Sequence, residues 1–449
     1  MKKISVLIPT LNSIQFLQDC IESVINQTLK ELEIIIIDAG STDGTLRLIE
    51  QYKKQDNRIQ LLHSDQKSYG YQLNLGISFA KGEYIGVVES DDIIDVDMYR
   101  TLFEATKREK VDFVKSGFIN YALTATNKEM ILEQNSIFKN VFGKVIRPFS
   151  YKSLYLDDFY LWSGIYKKQF LVDNSIVFNE SKGAAYQDIG FLFQVFVLAQ
   201  KAIYLDACFY KYRRNNVNSS TYSKKAFSYL SGEYGYILNT FLKKNHTIDT
   251  DWTTYFYYKL FMQCCSRFRL LAYHDDELIS VEKDILYLQG ILREAYEKKQ
   301  INISIWDTRY QMEFFCFLES HNTYAEYYKI QISAQKKYLL ELTKQIKEFS
   351  DVVLVSSSKV QSFVYTLLLS KGINSIITIC DNDTSKQGTN VMGMEIVSVE
   401  EACENSAEKA YVIANPRAKK ELILQLNSHG IKNSQIFIYD LGCDWIFLS

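Results

Sequence analysis

Apolar runs and helically spaced apolar positions alternate from the start of the chain. Lys3 to Ile8 is a short apolar run closed by Pro9, which predicts a strand ending in the loop Thr10-Leu11-Asn12. Leu17, Cys20, Ile21, Val24 and Ile25 recur at helical spacing, so a helix over them packs one face on that strand. Glu33 to Ile37 is an almost unbroken isoleucine run, the mark of a parallel strand buried on both faces. It ends at Asp38 in a polar loop reaching Thr45. Ile59 to Leu62 predicts a third strand, Gln72 to Ala80 a helix stopped by Lys81-Gly82, and Tyr84 to Val88 a fourth strand. This repetition builds a doubly wound α/β sheet, whose ligands bind at the carboxyl ends of its strands.

Met98 to Thr106 then reads as a helix, Asp112 to Ser116 as a strand, and the polar stretch Thr124 to Asn135 as a hairpin or excursion. From Ala226 to Lys347 the period is helical, and Tyr255 to Phe261 is too aromatic to be fully solvated. That places a packed helical region there, or a surface for a partner or a lipid-linked molecule. Strands at Asp351 to Val355, Ile376 to Cys380, Gly393 to Val397, Ala410 to Asn415 and Ile436 to Tyr439, with a helix over Val360 to Leu369, predict a small Rossmann-like α/β module. Its first loop, Ser356-Ser357-Ser358-Lys359, lacks the glycines a pyrophosphate needs, so a structural, oligomerising or regulatory role is expected rather than dinucleotide binding. The expected division is 1–225 for the first α/β domain, 226–347 for the helical subdomain and 348–449 for the module.

Composition narrows the classes. A chain of 449 residues exceeds one core. With 51 basic against 53 acidic side chains there is no excess for general nucleic-acid binding. No run is long enough for a membrane span, and Met1-Lys2-Lys3 leads directly into a strand without a signal-peptide core, so a cytoplasmic protein is expected. Eight cysteines without metal or redox spacing are expected to be buried reduced thiols, and five dispersed histidines disfavour a histidine metal site.

Candidate chemistry concentrates where the fourth strand ends, at Glu89-Ser90-Asp91-Asp92. Three carboxylates in four positions repel one another unless a cation sits among them, and a hard divalent ion with oxygen ligands, one that also holds a diphosphate, suits the set. The alternative is a solvated acidic turn with Asp92 as a helix N-cap.

Six segments in order resemble the family 2 glycosyltransferases of the GT-A type, in particular the bacterial capsule and lipopolysaccharide branch. They are Pro9 to Asn12; Asp38 to Thr45, with Ala39 where a second aspartate is common; Asn74-Leu75-Gly76 leading through Lys81 to Ile85 into Glu89-Ser90-Asp91, where the family has Asp-x-Asp; Trp162 to Lys168; Gln187 to Phe191, with Gln187 where glutamate is familiar; and Tyr210 to Ser220. The resemblance covers about residues 1 to 225 and implies transfer of a sugar from a UDP-sugar to a glycan or lipid-linked glycan, with inversion.

It further implies that Asp91, with Glu89, meets Mn²⁺ or Mg²⁺. Pro9, Thr10, Leu11, Asn12, Asp38, Ser68, Glu89 and Ser90 would line the donor nucleotide site, and Asp188 would be the general base. Glu89 is open between metal and ribose, Asn12 between nucleoside wall and helix cap, and Asp188 between base and N-cap. Lys211, Arg213 and Arg214 suit a diphosphate or an acidic acceptor, or form a solvated basic turn. Trp162 suits stacking under an acceptor sugar, or the core. A non-catalytic nucleotide-sugar or glycan binder and a nucleotidyltransferase are the competing readings. The second normally carries a glycine- and arginine-rich first loop, which Pro9 to Ser13 lacks. Peripheral membrane association and homo-oligomerisation stay open.

Overall fold

The computed structural model describes residues 2–107, 109–123, 129–135, 141–157, 160–214, 216, 223, 225–243, 248–274, 278–356, 364–365, 368–369, 371–391, 393–413 and 418–439. Two compact units make up the chain. The first comprises Met1–Asn120, Gln134–Phe268 and Glu277–Tyr324, and the second Tyr121–Glu133, Arg269–Asp276 and Ala325–Ser449.

The first unit opens with β1 (Ile4–Thr10), α1 (Leu17–Ile25), β2 (Leu32–Asp38), α2 (Thr45–Gln55), β3 (Ile59–His63), α3 (Tyr69–Phe79) and β4 (Tyr84–Val87). There follow β5 (Ile93–Ile94), α4 (Met98–Thr106), β6 (Phe113–Leu123), β7 (Glu129–Asn135), β8 (Val145–Ile146), α5 (Lys152–Asp157), β9 (Gly164–Lys167), α6 (Lys168–Asp173), α7 (Gln187–Leu198) and β10 (Ala202–Arg213). The strands lie in the order β3-β2-β1-β4-β9-β6-β10-β5, with β7 on β6 and β8 on β10. β1 to β4 run parallel, and β9 is antiparallel to β4, which makes the sheet mixed. All seven residues of β2 are buried, as the isoleucine run requires.

The expected end of β1 at Ile8 is corrected: the strand runs through Pro9 to Thr10. The Leu7 carbonyl accepts from the Val88 N–H on the β4 side at 3.0 Å. Position 9, two residues on, would aim an N–H the same way, past the end of β4, so proline forfeits no ladder bond. The polar stretch expected as a hairpin pairs as one, β7 on β6, while 124–128 lie outside the described residues.

Helices α8 (Ala226–Ile237), α9 (Thr250–His274), α10 (Glu282–Glu297) and α11 (Thr308–Glu319) continue the chain. The aromatic stretch in α9 is packed: Phe256, Leu260 and Phe261 are fully buried. After α12 (His321–Ile346) the second unit holds a sheet in the order β13-β14-β12-β11-β15-β16, with β11 (Asp351–Val355), β12 (Ile376–Cys380), β13 (Asn390–Val391), β14 (Met394–Val397), β15 (Lys409–Ile413) and β16 (Ile436–Ile438). All its pairings are parallel except β13 with β14. Most of the expected helix at Val360 to Leu369, and the loop after Ser356, lie outside the described residues. The seven described cysteines are free thiols, and Cys316 is exposed rather than buried as expected. Among the described residues no helix is long and apolar enough to cross a membrane.

Candidate active site

The carboxyl ends of β1 and β2 present two unsatisfied oxygens. Asp38 is buried and opposite Thr10 in register. Its Oδ2 accepts from the Gly40 N–H at 2.8 Å and the Ser41 N–H at 3.0 Å, a turn that Gly40 makes at φ 88°. Among the described residues, Asp38 Oδ1 and Thr10 Oγ1 are buried without a hydrogen-bond partner. Each such atom costs about 1–3 kcal/mol, so a pair of them at strand ends marks a place prepared for a donor ligand. Gln72 Nε2 braces this edge from α3 by donating to the carbonyls of Thr10 (3.1 Å) and Ile37 (2.5 Å).

Asn12, at φ 52°, takes the Thr42 N–H on its side-chain oxygen and gives its own N–H to Ser41 Oγ, both at 2.8 Å. It thus sews two loops together and caps no helix, a correction to one alternative. Leu11 is exposed beside it, Ser68 caps α3 by accepting from the Tyr71 N–H at 3.2 Å, and Ser90 Oγ lies 2.7 Å from Ser13 Oγ.

The three carboxylates after β4 separate by environment. Asp92 is fully buried, accepting from the Tyr210 hydroxyl at 2.8 Å and the Arg213 N–H at 2.7 Å. Burial, with the charge of Asp91 adding to it, pushes its carboxyl well up. It is no helix cap, because Ile93–Ile94 is a strand paired with β10. Asp91 Oδ2 accepts from Asn216 Nδ2 at 2.7 Å. Half-buried Glu89 accepts from the Tyr69 hydroxyl at 2.5 Å. Lost water pushes its carboxyl to about 8, with Asp91 and Asp188 as further causes against the lowering by Tyr69.

Asp188 lies in the first turn of α7, after Tyr186, which is left-handed at φ 71° and caps nothing with its side chain. The N-cap alternative for Asp188 is therefore corrected. Burial pushes Asp188 to about 6, against the pull of the Lys259 and Lys115 ammonium groups. Its field reaches both Glu89 and Tyr69, so the fold brings α7 to the carboxylate corner. The loop before α7 docks on α3: Tyr69 N–H donates to Gly183 O, and Gly183 N–H to Lys67 O, each at 2.9 Å. A Cβ at Gly70 would stand 1.9 Å from the Asn179 carbonyl, which is why glycine sits there.

The basic residues part company. Lys211 sits in β10 opposite Ile93. Arg213 is buried, its Nε donating to Asp91 O at 2.8 Å and its guanidinium 4.7 Å over the Phe16 ring. Arg214 lies over the Tyr212 ring at 5.3 Å. Trp162 is buried and stacked on Tyr210 at 4.0 Å and Tyr212 at 5.3 Å, a core position.

Residues 5–164 match the model of glycosyl transferase family 2. The glycosyltransferase GlyG of Streptococcus pneumoniae serotype 4 is 30% identical over 224 residues, 47% of this chain and 71% of that protein. The chain belongs to glycosyltransferase family 2. The cholesterol galactosyltransferase of Borreliella burgdorferi is 30% identical over 230 residues, 49% of this chain and 63% of that protein. EpsJ of Bacillus subtilis, an uncharacterised glycosyltransferase, is 28% identical over 47% of this chain and 61% of its own length. The chain thus spans less than two thirds of the last two relatives, and each match takes in about half of it. The crystal structure of S. aureus TarS superposes with a TM-score of 0.45 at 20% identity, covering 58% of this chain and 43% of that one.

Family 2 glycosyltransferases commonly use a divalent ion, and the corner of this one suits such an ion in part. Burial first, and then the Asp91 charge, raises both Glu89 and Asp92, and a cation at this corner would favour their ionised forms. Among the described residues no three His, Cys, Asp or Glu side chains converge on one point. Asp91 with Glu89 would hold such an ion, and a partly hydrated hard ion needs few protein ligands. Sequence reasoning missed the roles of Gln72, Tyr69, Lys259 and Glu233. Glycines inside helices carried the local signal: Gly70 beside Tyr69, and Gly190, where a Cβ would meet Glu233 Oε1 at 2.1 Å.

Proposed function

We propose that the chain is a metal-dependent, inverting glycosyltransferase that moves a sugar from a UDP-sugar to a growing capsular or surface polysaccharide. What supports this reading is that the orphaned Asp38 and Thr10 oxygens end the neighbouring strands β2 and β1, while Glu89 and Asp91 follow the adjacent β4 and the Asp188 charge bears on Glu89. Asp38 Oδ1 and Thr10 Oγ1 take the donor groups of uracil or ribose. Asp91 would hold a divalent ion, which would supply Lewis-acid stabilisation of the diphosphate. Asp188 accepts the acceptor hydroxyl's proton as that oxygen bonds to the anomeric carbon and the bond to UDP breaks, so one displacement inverts the centre. A carboxyl near 6 is mostly ionised at neutral pH and still basic enough to take the proton.

Solved structures of S. aureus TarS 1-349 hold UDP and UDP-GlcNAc, and one of a Pyrobaculum calidifontis mannosyltransferase holds GDP-Man and Mn²⁺. The second unit serves structure, assembly or regulation. The test is release of nucleotide from a panel of nucleotide sugars with Mn²⁺, alongside UDP titration. Turnover of a UDP-sugar supports the reading. Silence from every donor, with no metal-dependent UDP binding, sinks it in favour of a non-catalytic binder.

A further inference from the structure

Helix α7 begins without a cap of its own. Tyr186 offers no side-chain acceptor, and the Ile189 N–H turns back to the Tyr186 carbonyl at 3.0 Å. The next N–H, of Gly190, is taken by a side chain from another helix: Glu233 Oε1 of α8, at 3.1 Å. The other oxygen of Glu233 accepts from Asn179 Nδ2 at 2.9 Å. The backbone of Asn179 is itself seated against Gly70 at the start of α3, one residue from the Tyr69 that holds Glu89. One buried carboxyl therefore spans the two chain segments that flank Asp188, the docking loop and the first turn of α7.

We propose that Glu233 is a positioning residue for sugar transfer, capping α7 from outside and clamping it to the docking loop so that Asp188 is held in place, a role that rests on reading Asp188 as the base. Gly190 is the matching half of the device, because any side chain there would displace the carboxyl. Burial pushes the Glu233 carboxyl to about 8, with Asp188 contributing. Both Glu233 oxygens are engaged as acceptors, by the Gly190 N–H and the Asn179 amide, which suits a clamp rather than a second base.

The test compares E233A, E233Q and D188N in the full chain. It measures UDP affinity with Mn²⁺, and kcat and KM with whichever UDP-sugar the unaltered chain turns over fastest. E233A is expected to lower kcat about tenfold to a hundredfold, the effect of a misplaced catalytic group, with KM and UDP affinity within about twofold. E233Q, whose amide oxygen accepts from Gly190 and whose amide N–H can donate to Asn179 Oδ1 once that side-chain amide turns over, recovers most of the rate. Unchanged kcat in E233A beside an inactive D188N overturns the clamp and leaves the base intact. An active D188N overturns the base itself. Parallel loss of UDP affinity and kcat, or E233Q as slow as E233A, also overturns the clamp. Should E233A fail to fold, G190A takes its place: slowed turnover with intact UDP affinity supports the clamp, and unchanged turnover refutes it.

Discussion

Replacing Asp188 by asparagine should abolish transfer and stabilise the protein at neutral pH. Burial pushes its carboxyl in the folded chain up to about 6, above the 3.8 of an unburied aspartate. The folded state therefore binds more protons than the unfolded state between those values, and stability falls as pH rises through that window. The full shift corresponds to about 3 kcal/mol, and partial solvent access reduces it to about 1–2 kcal/mol. An asparagine there would carry no charge to desolvate and would avoid that loss. A gain of this size raises Tm by about 2–6 °C in a chain of this kind. The assay is thermal unfolding of both proteins from pH 4 to pH 8, with turnover followed in parallel. The Tm difference should grow as pH rises from about 4, reach its full size above about pH 6 and vanish below pH 4, while wild-type kcat falls below about pH 6 with unit slope. A pH-independent Tm difference, destabilisation at pH 8, or residual turnover in the variant would refute the reasoning.

Other expectations can be checked as directly. Asp38→Asn keeps an oxygen for the Gly40 and Ser41 N–H groups but can turn the orphaned position into a donor, so calorimetry should show UDP affinity falling about tenfold to a hundredfold with little change in Tm. Trp162→Ala should cost about 3–5 kcal/mol in denaturant unfolding, since it removes a ring buried against Tyr210 and Tyr212. Full stability in that variant would reject the core assignment. Dialysis against EDTA should stop nucleotide release and added Mn²⁺ should restore it, whereas undiminished turnover in chelator would remove the metal from the mechanism.

What the sequence determined by itself is the local part of this molecule. The isoleucines of β2 need no distant partner to declare a strand buried on both faces, and Asp38 and Glu89 to Asp92 announce themselves by ending such strands in charge. Periods of two and 3.6 residues are written in neighbouring positions, which is why Met98–Thr106 and Asp351–Val355 match expectation. Tertiary structure alone decided what each charge does. Asp92 became an anchor because Tyr210 and the Arg213 backbone, more than a hundred positions away, meet it. Arg213 turned inward for the same reason, and Trp162 went to the core when β10 laid two tyrosines against it. Glu233 reaches Gly190 across 43 positions, a contact that no spacing encodes, because hydrogen bonding and desolvation depend on which surfaces the fold presses together.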